Sequence, residues 1–295
     1  MNTKEQGFLL LTSMLGVPDR HPLTTAQLRT LAKRISLTEK QESSRDLLPE
    51  DLQHLGYDKP KALRIISLLG DEDVLQSYLR KGEKYDCLPL TRVTEGYPLE
   101  VRQRLGLDAP GCLWAKGDLT LLTTPKIALV GSRDLAEPNA LFAELAGYEA
   151  AQQGYTLVSG NARGADRTAQ EACLRADGRV ICVVADELQK YPLRENVLYL
   201  SEDGFELPFS ALRALSRNRV IHALGCLTLV AQCSDGIGGT WDGTVRNLRN
   251  NWSPVFCFDD GTTAMEQLRE QGATLIPCDR LTDFFSLTPD IKKLI

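Results

Sequence analysis

From about residue 126 onward, short β-branched apolar runs alternate with amphipathic segments of roughly 10 to 15 residues, and this alternation restricts the fold more than any other feature of the chain. The runs are Lys126 to Val130, Tyr155 to Ser159, Arg179 to Val184, Leu227 to Gln232, Val255 to Phe258 and Thr274 to Ile276. Helical patterns fill the intervals at Glu137 to Gln153, Ala165 to Ala176, Ala211 to Leu224, Thr240 to Asn250 and Thr263 to Gln271. Continuous apolar strands separated by amphipathic helices predict an α/β, Rossmann-like, mostly parallel sheet with helices on both faces. In such sheets ligands bind beyond the carboxyl ends of the strands.

The chain ahead of this pattern reads differently. Apolar residues recur at three- and four-residue spacing over Leu9 to Leu15, Thr24 to Ile35, Pro49 to Leu55 and Lys59 to Leu69, with Thr24 or Thr25 as a cap and Gly56 and Gly70 as stops. The expected organisation is a small helical (SAM-like) module over 1–85 and a Rossmann-like core domain over 86–295. Gly-Tyr-Pro at 96–98 and Ala-Pro-Gly at 109–111 predict irregular connecting chain.

Charge limits the kind of partner. The 295 residues carry a net −5, and after position 85 there are 21 basic against 27 acidic residues, so a broad basic face that coats a duplex is excluded. Any contact with nucleic acid must come from a local arginine cluster in an acidic body. No apolar run approaches the roughly 20 residues of a membrane span, and the first 15 residues lack a basic leader and a small-residue cleavage site. Eight cysteines occur with no Cys-x-x-Cys pair, the shortest spacing being the seven-residue step from Cys226 to Cys233, so no zinc site is expected. Cysteines inside apolar segments suit a reducing compartment, and the expected location is cytoplasmic.

Three strand ends carry residues suited to an anion. The first is Gly131-Ser132-Arg133, where a glycine lets backbone N–H groups approach and Arg133 offers a bidentate fork. A plain tight turn explains the same tripeptide. The second runs Ser159-Gly160-Asn161-Ala162-Arg163-Gly164-Ala165-Asp166 straight into a helix, where Asp166 also reads as an N-cap. The third, Asp235 to Thr244, has four glycines in eight residues, with Gly238-Gly239-Thr240 at a helix start; it lacks the Gly-Lys-Ser/Thr ending of a P-loop. Between the second and third lies a helix with Arg213, Arg217, Asn218 and Arg219, in a stretch without an acid from 207 to 234. His222 reads as an ordinary helix-flank histidine. Three such strand ends in one sheet predict an anion or nucleotide-backbone site.

These residues carry a family resemblance. Gly131-Ser132-Arg133, Ser159-Gly160-x-Ala162-x-Gly164-x-Asp166, Tyr191-Pro192, Arg217-Asn218-Arg219 and Gly238-Gly239-Thr240 occur in the order found in the DNA-processing protein A (DprA/Smf) family. Gly96-Tyr97-Pro98-Leu99 with Leu113-Trp114-Ala115-Lys116-Gly117 resembles the lead-in to that family's core. The resemblance implies a cytoplasmic protein that binds single-stranded DNA as a homodimer and helps load a RecA-type recombinase during natural transformation, with no catalysis, no cofactor and no membrane. Carried over by position, Gly131, Ser132, Arg133, Ser159, Gly160, Arg163, Gly164, Asp166, Arg217, Asn218, Arg219, Gly238, Gly239 and Thr240 would receive the DNA backbone. The winged-helix domain at the C-terminus of many members is not expected here.

A second reading uses the same loops. The acidic net charge and the Gly-Gly-Thr loop suit a nucleotide-binding sensor or nucleotide-processing enzyme. Against catalysis, Asp166, Asp235 and Asp242 are loop or cap carboxylates with no second group to complete an acid–base pair, and an arginine beside Asp166 would lower its pKa. Trp241 and Tyr191 are the aromatic residues placed to meet a base, so stacking is expected to be sparse.

Overall fold

A computed structural model of the chain describes residues 1–36 and 47–287; the parts of the two expected domains at 37–46 and 288–295 lie outside the described residues. The chain forms two compact units, one of Met1–Tyr97 with Pro110–Leu113, the other of Pro98–Ala109 with the residues from Trp114 on.

The first unit contains α1 (Thr3–Thr12), α2 (Thr25–Ser36), α3 (Pro49–His54), α4 (Lys59–Gly70), α5 (Glu72–Glu83) and β1 (Leu88–Thr91). Its helices start where side chains can satisfy free amides. Asn2 and Glu5 cap α1 reciprocally at 3.0 and 2.8 Å, Thr24 and Gln27 do the same for α2, and Asp58 accepts from Lys61 N–H at the start of α4. Leu23, Leu31, Leu52, Ala62, Ile65 and Leu68 form its core. Helix α5 was not expected from the sequence; its buried Leu75, Tyr78 and Gly82 define one helical face.

In the second unit α6 (Leu99–Leu105) and the greater part of β2 (Cys112–Gly117), from Trp114 on, precede the alternation. There follow β3 (Lys126–Val130), α7 (Glu137–Gln152), β4 (Thr156–Ser159), α8 (Ala165–Arg175), β5 (Arg179–Val184) and β6 (Val197–Glu202). After these come α9 (Ala211–Leu224), β7 (Thr228–Val230), α10 (Gly239–Asn250), β8 (Val255–Phe258), α11 (Thr263–Glu270), β9 (Thr274–Ile276) and the short α12 (Phe284–Leu287). The strand order is β2-β6-β5-β4-β3-β7-β8-β9. Every pairing from β6 across to β9 is parallel, so the fold class read from the sequence is borne out.

Two consequences of this order position the site. Strand β3 has β4 on one side and β7 on the other, so the chain winds outward from β3 in one direction and, after β6, returns to wind in the other. That reversal makes the carboxyl ends of β3 and β7 the switch point of the sheet, where a crevice opens. It also sets the three glycine-bearing strand ends side by side. Right-handed crossovers put α7 and α8 on one face and α9 and α10 on the other. Close approach of α7 to α8 depends on Gly147, where a Cβ would lie 2.0 Å from the Ala169 carbonyl oxygen.

Strands β2 and β6 were not read from the sequence. Strand β6 ends in Ser201-Glu202, which looks like polar loop, yet both side chains are buried because α9 supplies their partners. Strand β2 carries Lys116, whose Nζ donates to the Gln189 carbonyl at 3.3 Å. The region around Pro98, expected to be irregular, begins helix α6. It is anchored by Arg104, which donates to the carbonyls of Ala223 and Gly225.

Candidate functional site

The crevice at the switch point is a cleft of about 470 Å³ walled by the ends of β3, β4 and β7, the outer side of α9 and the N-terminus of α10. Its construction begins with glycine. At Gly131 a Cβ would fall 2.4 Å from the Cβ of Ala165 and 3.3 Å from that of Ala231, so only glycine lets the three strand ends close together. At Gly164, with φ +85°, a Cβ would strike the Ser132 carbonyl oxygen at 2.4 Å. The loops are then tied by hydrogen bonds: Ser132 N–H donates to the Gln232 carbonyl at 2.9 Å, Ala165 N–H to the Ser132 carbonyl at 3.1 Å, and the Thr240 hydroxyl to the Gly131 carbonyl at 3.0 Å.

Arg217 and Asp166 form the floor. Asp166, buried in the first turn of α8, accepts from the N–H groups of Gly160 and Ala162 through Oδ2, each at 3.1 Å. Arg217 lies with Nη2 4.0 Å from the same oxygen, and its guanidinium covers Gly160 so closely that a Cβ there would sit 1.6 Å from Nη1. Burial raises the Asp166 pKa; the charges of Arg217 and Arg133 and the two amides act the other way. This direction is opposite to the sequence expectation, because the arginine arrives with full desolvation of the carboxyl. Burial also lowers the Arg217 pKa, but a guanidinium stays charged at any physiological pH. The carboxylate holds Arg217 and the β4 loop in place, and its two contacted amides and one arginine leave it no role as a free base.

Arg133 stands exposed at the mouth, and among the described residues no carboxylate pairs with it. Opposite lies the start of α10, whose cap residue Gly238 (φ +95°) supplies no side-chain bond. The first-turn amides of Gly239, Thr240 and Trp241 therefore lack intrahelical acceptors, and Gly239 and Thr240 line the cleft. Asn218 on α9 donates to the Gly239 carbonyl at 2.8 Å and fixes that turn. Two guanidiniums and a helix N-terminus around one already engaged carboxylate are groups whose charge and free donors favour an anion.

Of the residues expected from the sequence, Gly131, Ser132, Arg133 and Asp166 line the cleft, as do Arg217, Asn218, Gly238, Gly239 and Thr240. Gly160 and Gly164 lie beneath it and permit the close approaches described. Ser159 is buried, its hydroxyl accepting from the Gln170 amide. Arg163 is exposed beside the cleft and paired with Asp134 at 2.6 Å. Arg219 points elsewhere: it binds Glu202 at 2.7 Å and the Asp108 carbonyl at 2.9 Å. Arg213 is likewise engaged, by the carbonyls of Ala185, Leu207 and Pro208 at 2.8 to 2.9 Å. Tyr191 stacks on Tyr199 at 4.7 Å and donates to Asp186 at 2.8 Å. His222 is fully buried, contacting Thr228 and Asn247.

Sequence reasoning missed the apolar rim. Phe209 and Ile237 line the mouth while 56% and 73% exposed, and Leu215 joins them. The available signal was Ile237 inside the polar, glycine-bearing loop at 235–244 and Phe209 just ahead of α9. Gln232 also serves the site. Its amide accepts from Ala136 N–H at 2.8 Å and donates to the Asp134 carbonyl at 3.2 Å, bracing the loop that carries Arg133.

A doubly wound sheet with an arginine-lined cleft at its switch point defines the class: a Rossmann-like domain. Residues 89–285 match the family model described as DNA recombination-mediator protein A, and the chain belongs to that family. It is 31% identical to DNA processing protein DprA of Bacillus subtilis over 179 residues, 56% of this chain and 57% of that protein. Against Protein Smf of Escherichia coli it is 31% identical over 185 residues, 57% of this chain and 49% of that one. The chain thus spans about half to two thirds of the length of the curated relatives it matches. Among solved structures, DNA processing protein A of Streptococcus pneumoniae superposes with a TM-score of 0.71 at 22% identity, over 95% of this chain and 97% of that one. DNA processing protein A of Helicobacter pylori, whose structure describes a single-stranded DNA binding mode, gives a TM-score of 0.58 at 24% identity over 69% of this chain and 96% of that one. The family resemblance read from the sequence is borne out.

Proposed function

We propose that the chain binds single-stranded DNA by seating backbone phosphates in the switch-point cleft. The observation that carries this reading is the placing of Arg133, Arg217 and the free amides of α10 around one opening whose only lining acid among the described residues, Asp166, is already engaged. Arg133 supplies the accessible charge and Arg217 a preset, buried one. The apolar rim of Phe209 and Ile237 gives bases a surface to lie against without reading their edges, so sequence preference is weak. Membership of a recombination-mediator family and the DNA-binding relative from Helicobacter pylori support the reading. In the cell, the bound strand is handed to a RecA-type recombinase by a homodimer of the chain, in the cytoplasm.

Fluorescence anisotropy of a labelled strand of about 30 nucleotides tests this, with the unmodified chain beside Arg133→Ala. Binding weakened several-fold by the substitution supports the cleft; equal binding by both contradicts it. One observation favours a nucleotide as ligand instead: the cleft volume of about 470 Å³ falls in the range of small-molecule sites. A rise in melting temperature with a mononucleotide but not with the strand would select that reading.

A further inference from the structure

A second groove lies on the outer side of α10, and neither the family motifs nor the cleft account for it. Its volume is about 370 Å³, and Leu215 forms a wall common to it and the cleft. Trp241, Arg246, Arg249 and Trp252 line it. Two of the chain's three tryptophans are therefore in one groove. Asp242, Val245, Arg246 and Arg249 stand at positions i, i+3, i+4 and i+7 and share a face of α10. Arg246 and Arg249 are exposed, and among the described residues neither has a carboxylate partner. The Arg246 guanidinium stands 5.8 Å from the centroid of the Trp252 ring, a cation–π arrangement that holds the side chain over the groove. Trp252 is buried and forms the base, whereas Trp241 is half-buried.

Arginine beside accessible tryptophan is the chemistry of single-strand binding, with charge for phosphate and a ring face for a base. A carboxylate-rich protein partner would use the charges but not the ring. In a molecule of net −5, two unpaired arginines with tryptophans mark a local site, not a general basic surface. Thr240 lines the cleft and Trp241, the next residue, lines the groove, so the path from one to the other is a single step along α10.

We infer that this groove is an extension of the strand-binding track, in which Arg246 and Arg249 hold the phosphates of nucleotides leaving the cleft and Trp241 stacks on one of their bases. The inference rests on the reading of the cleft as a single-strand site. It makes the footprint longer than the cleft alone and gives affinity a dependence on strand length.

The test uses thymidylate strands of about 6 and about 20 nucleotides with the unmodified chain, Arg246→Ala/Arg249→Ala and Trp241→Phe, all exposed or half-exposed changes that leave the core intact. The short strand should bind all three alike. The long strand should bind the arginine double variant about tenfold more weakly than the unmodified chain, with the logarithmic salt slope reduced by about 1.4 for two lost phosphates. Tryptophan emission should fall on adding the long strand to the unmodified chain and much less with Trp241→Phe, since Trp114 and Trp252 are buried and shielded from a stacking base. Equal long-strand affinity and salt slope for the unmodified and double-variant chains overturns the inference and leaves the cleft reading standing. If sedimentation shows that the double variant changes oligomeric state instead, the groove is an interface between copies and the inference is again overturned. Failure of the unmodified chain to bind either strand at low salt removes the cleft reading and this one with it.

Discussion

At the scale of single residues, the site depends on side chains that are absent as much as on those present. Gly160 leaves room for the Arg217 guanidinium, and a methyl group there would overlap it at 1.6 Å. Gly160→Ala should therefore displace Arg217, cost about 1 to 3 kcal/mol of stability by urea denaturation, and weaken strand binding as far as loss of the arginine itself. His222 makes a different kind of test. Burial depresses its pKa to about 3, so between pH 6.5 and about 3 the unfolded chain takes up a proton that the folded chain refuses. Its contribution is complete above pH 6.5 and is lost as the pH falls, by about 2 kcal/mol at pH 5. Glu202, whose pKa burial raises to about 6, has the opposite slope, gaining stability as the pH falls through that value. Comparison with His222→Gln isolates the histidine: the variant should lose less stability between pH 7.5 and pH 5 than the unmodified chain, as read by urea midpoints. An identical loss in both would show that His222 is not held neutral.

At the scale of elements, α9 and α10 divide the labour. Arg217 and Asn218 serve the cleft, while Arg213 and Arg219, one turn away, hold β6 and its flanking loops through carbonyls and Glu202. The sequence showed four polar residues on one helix in an acid-free stretch; it did not show which would be taken by β6, because Glu202 and the carbonyls come from a strand whose own ending reads as loop. The strand-end glycines were legible, since each pattern is local and each needs only one turn. The apolar rim was not, because Phe209 and Ile237 become neighbours only when α9 crosses back over the sheet. At this scale Thr240 is the clearest probe. Its hydroxyl ties α10 to Gly131, and Thr240→Val keeps the shape while removing the bond. The substitution should cost about 1 kcal/mol of stability and loosen the helix N-terminus, weakening strand binding about fivefold in an anisotropy titration. Unchanged affinity would mean that the α10 amides take no part.

At the scale of the molecule, strand order is what turns three separate motifs into one site. Six strands and five helices of the core were legible from their periods, but pairing was not, because a parallel ladder leaves no mark of its neighbour in the sequence. With β4, β3 and β7 adjacent, the loops converge; any order that separated them would leave each as an ordinary turn. The chain as a whole repels a polyanion, so binding must be local and strongly dependent on salt. The most direct measurement is the affinity for a single strand as a function of salt, for the unmodified chain, Arg133→Ala and the remote control Arg269→Ala, an exposed residue paired with Glu266. Phosphate binding in the cleft requires log affinity to fall linearly with log salt, and Arg133→Ala to bind more weakly with a slope shallower by about 0.7, while Arg269→Ala matches the unmodified chain. A flat salt dependence, or a slope that Arg133→Ala leaves unchanged, would contradict it.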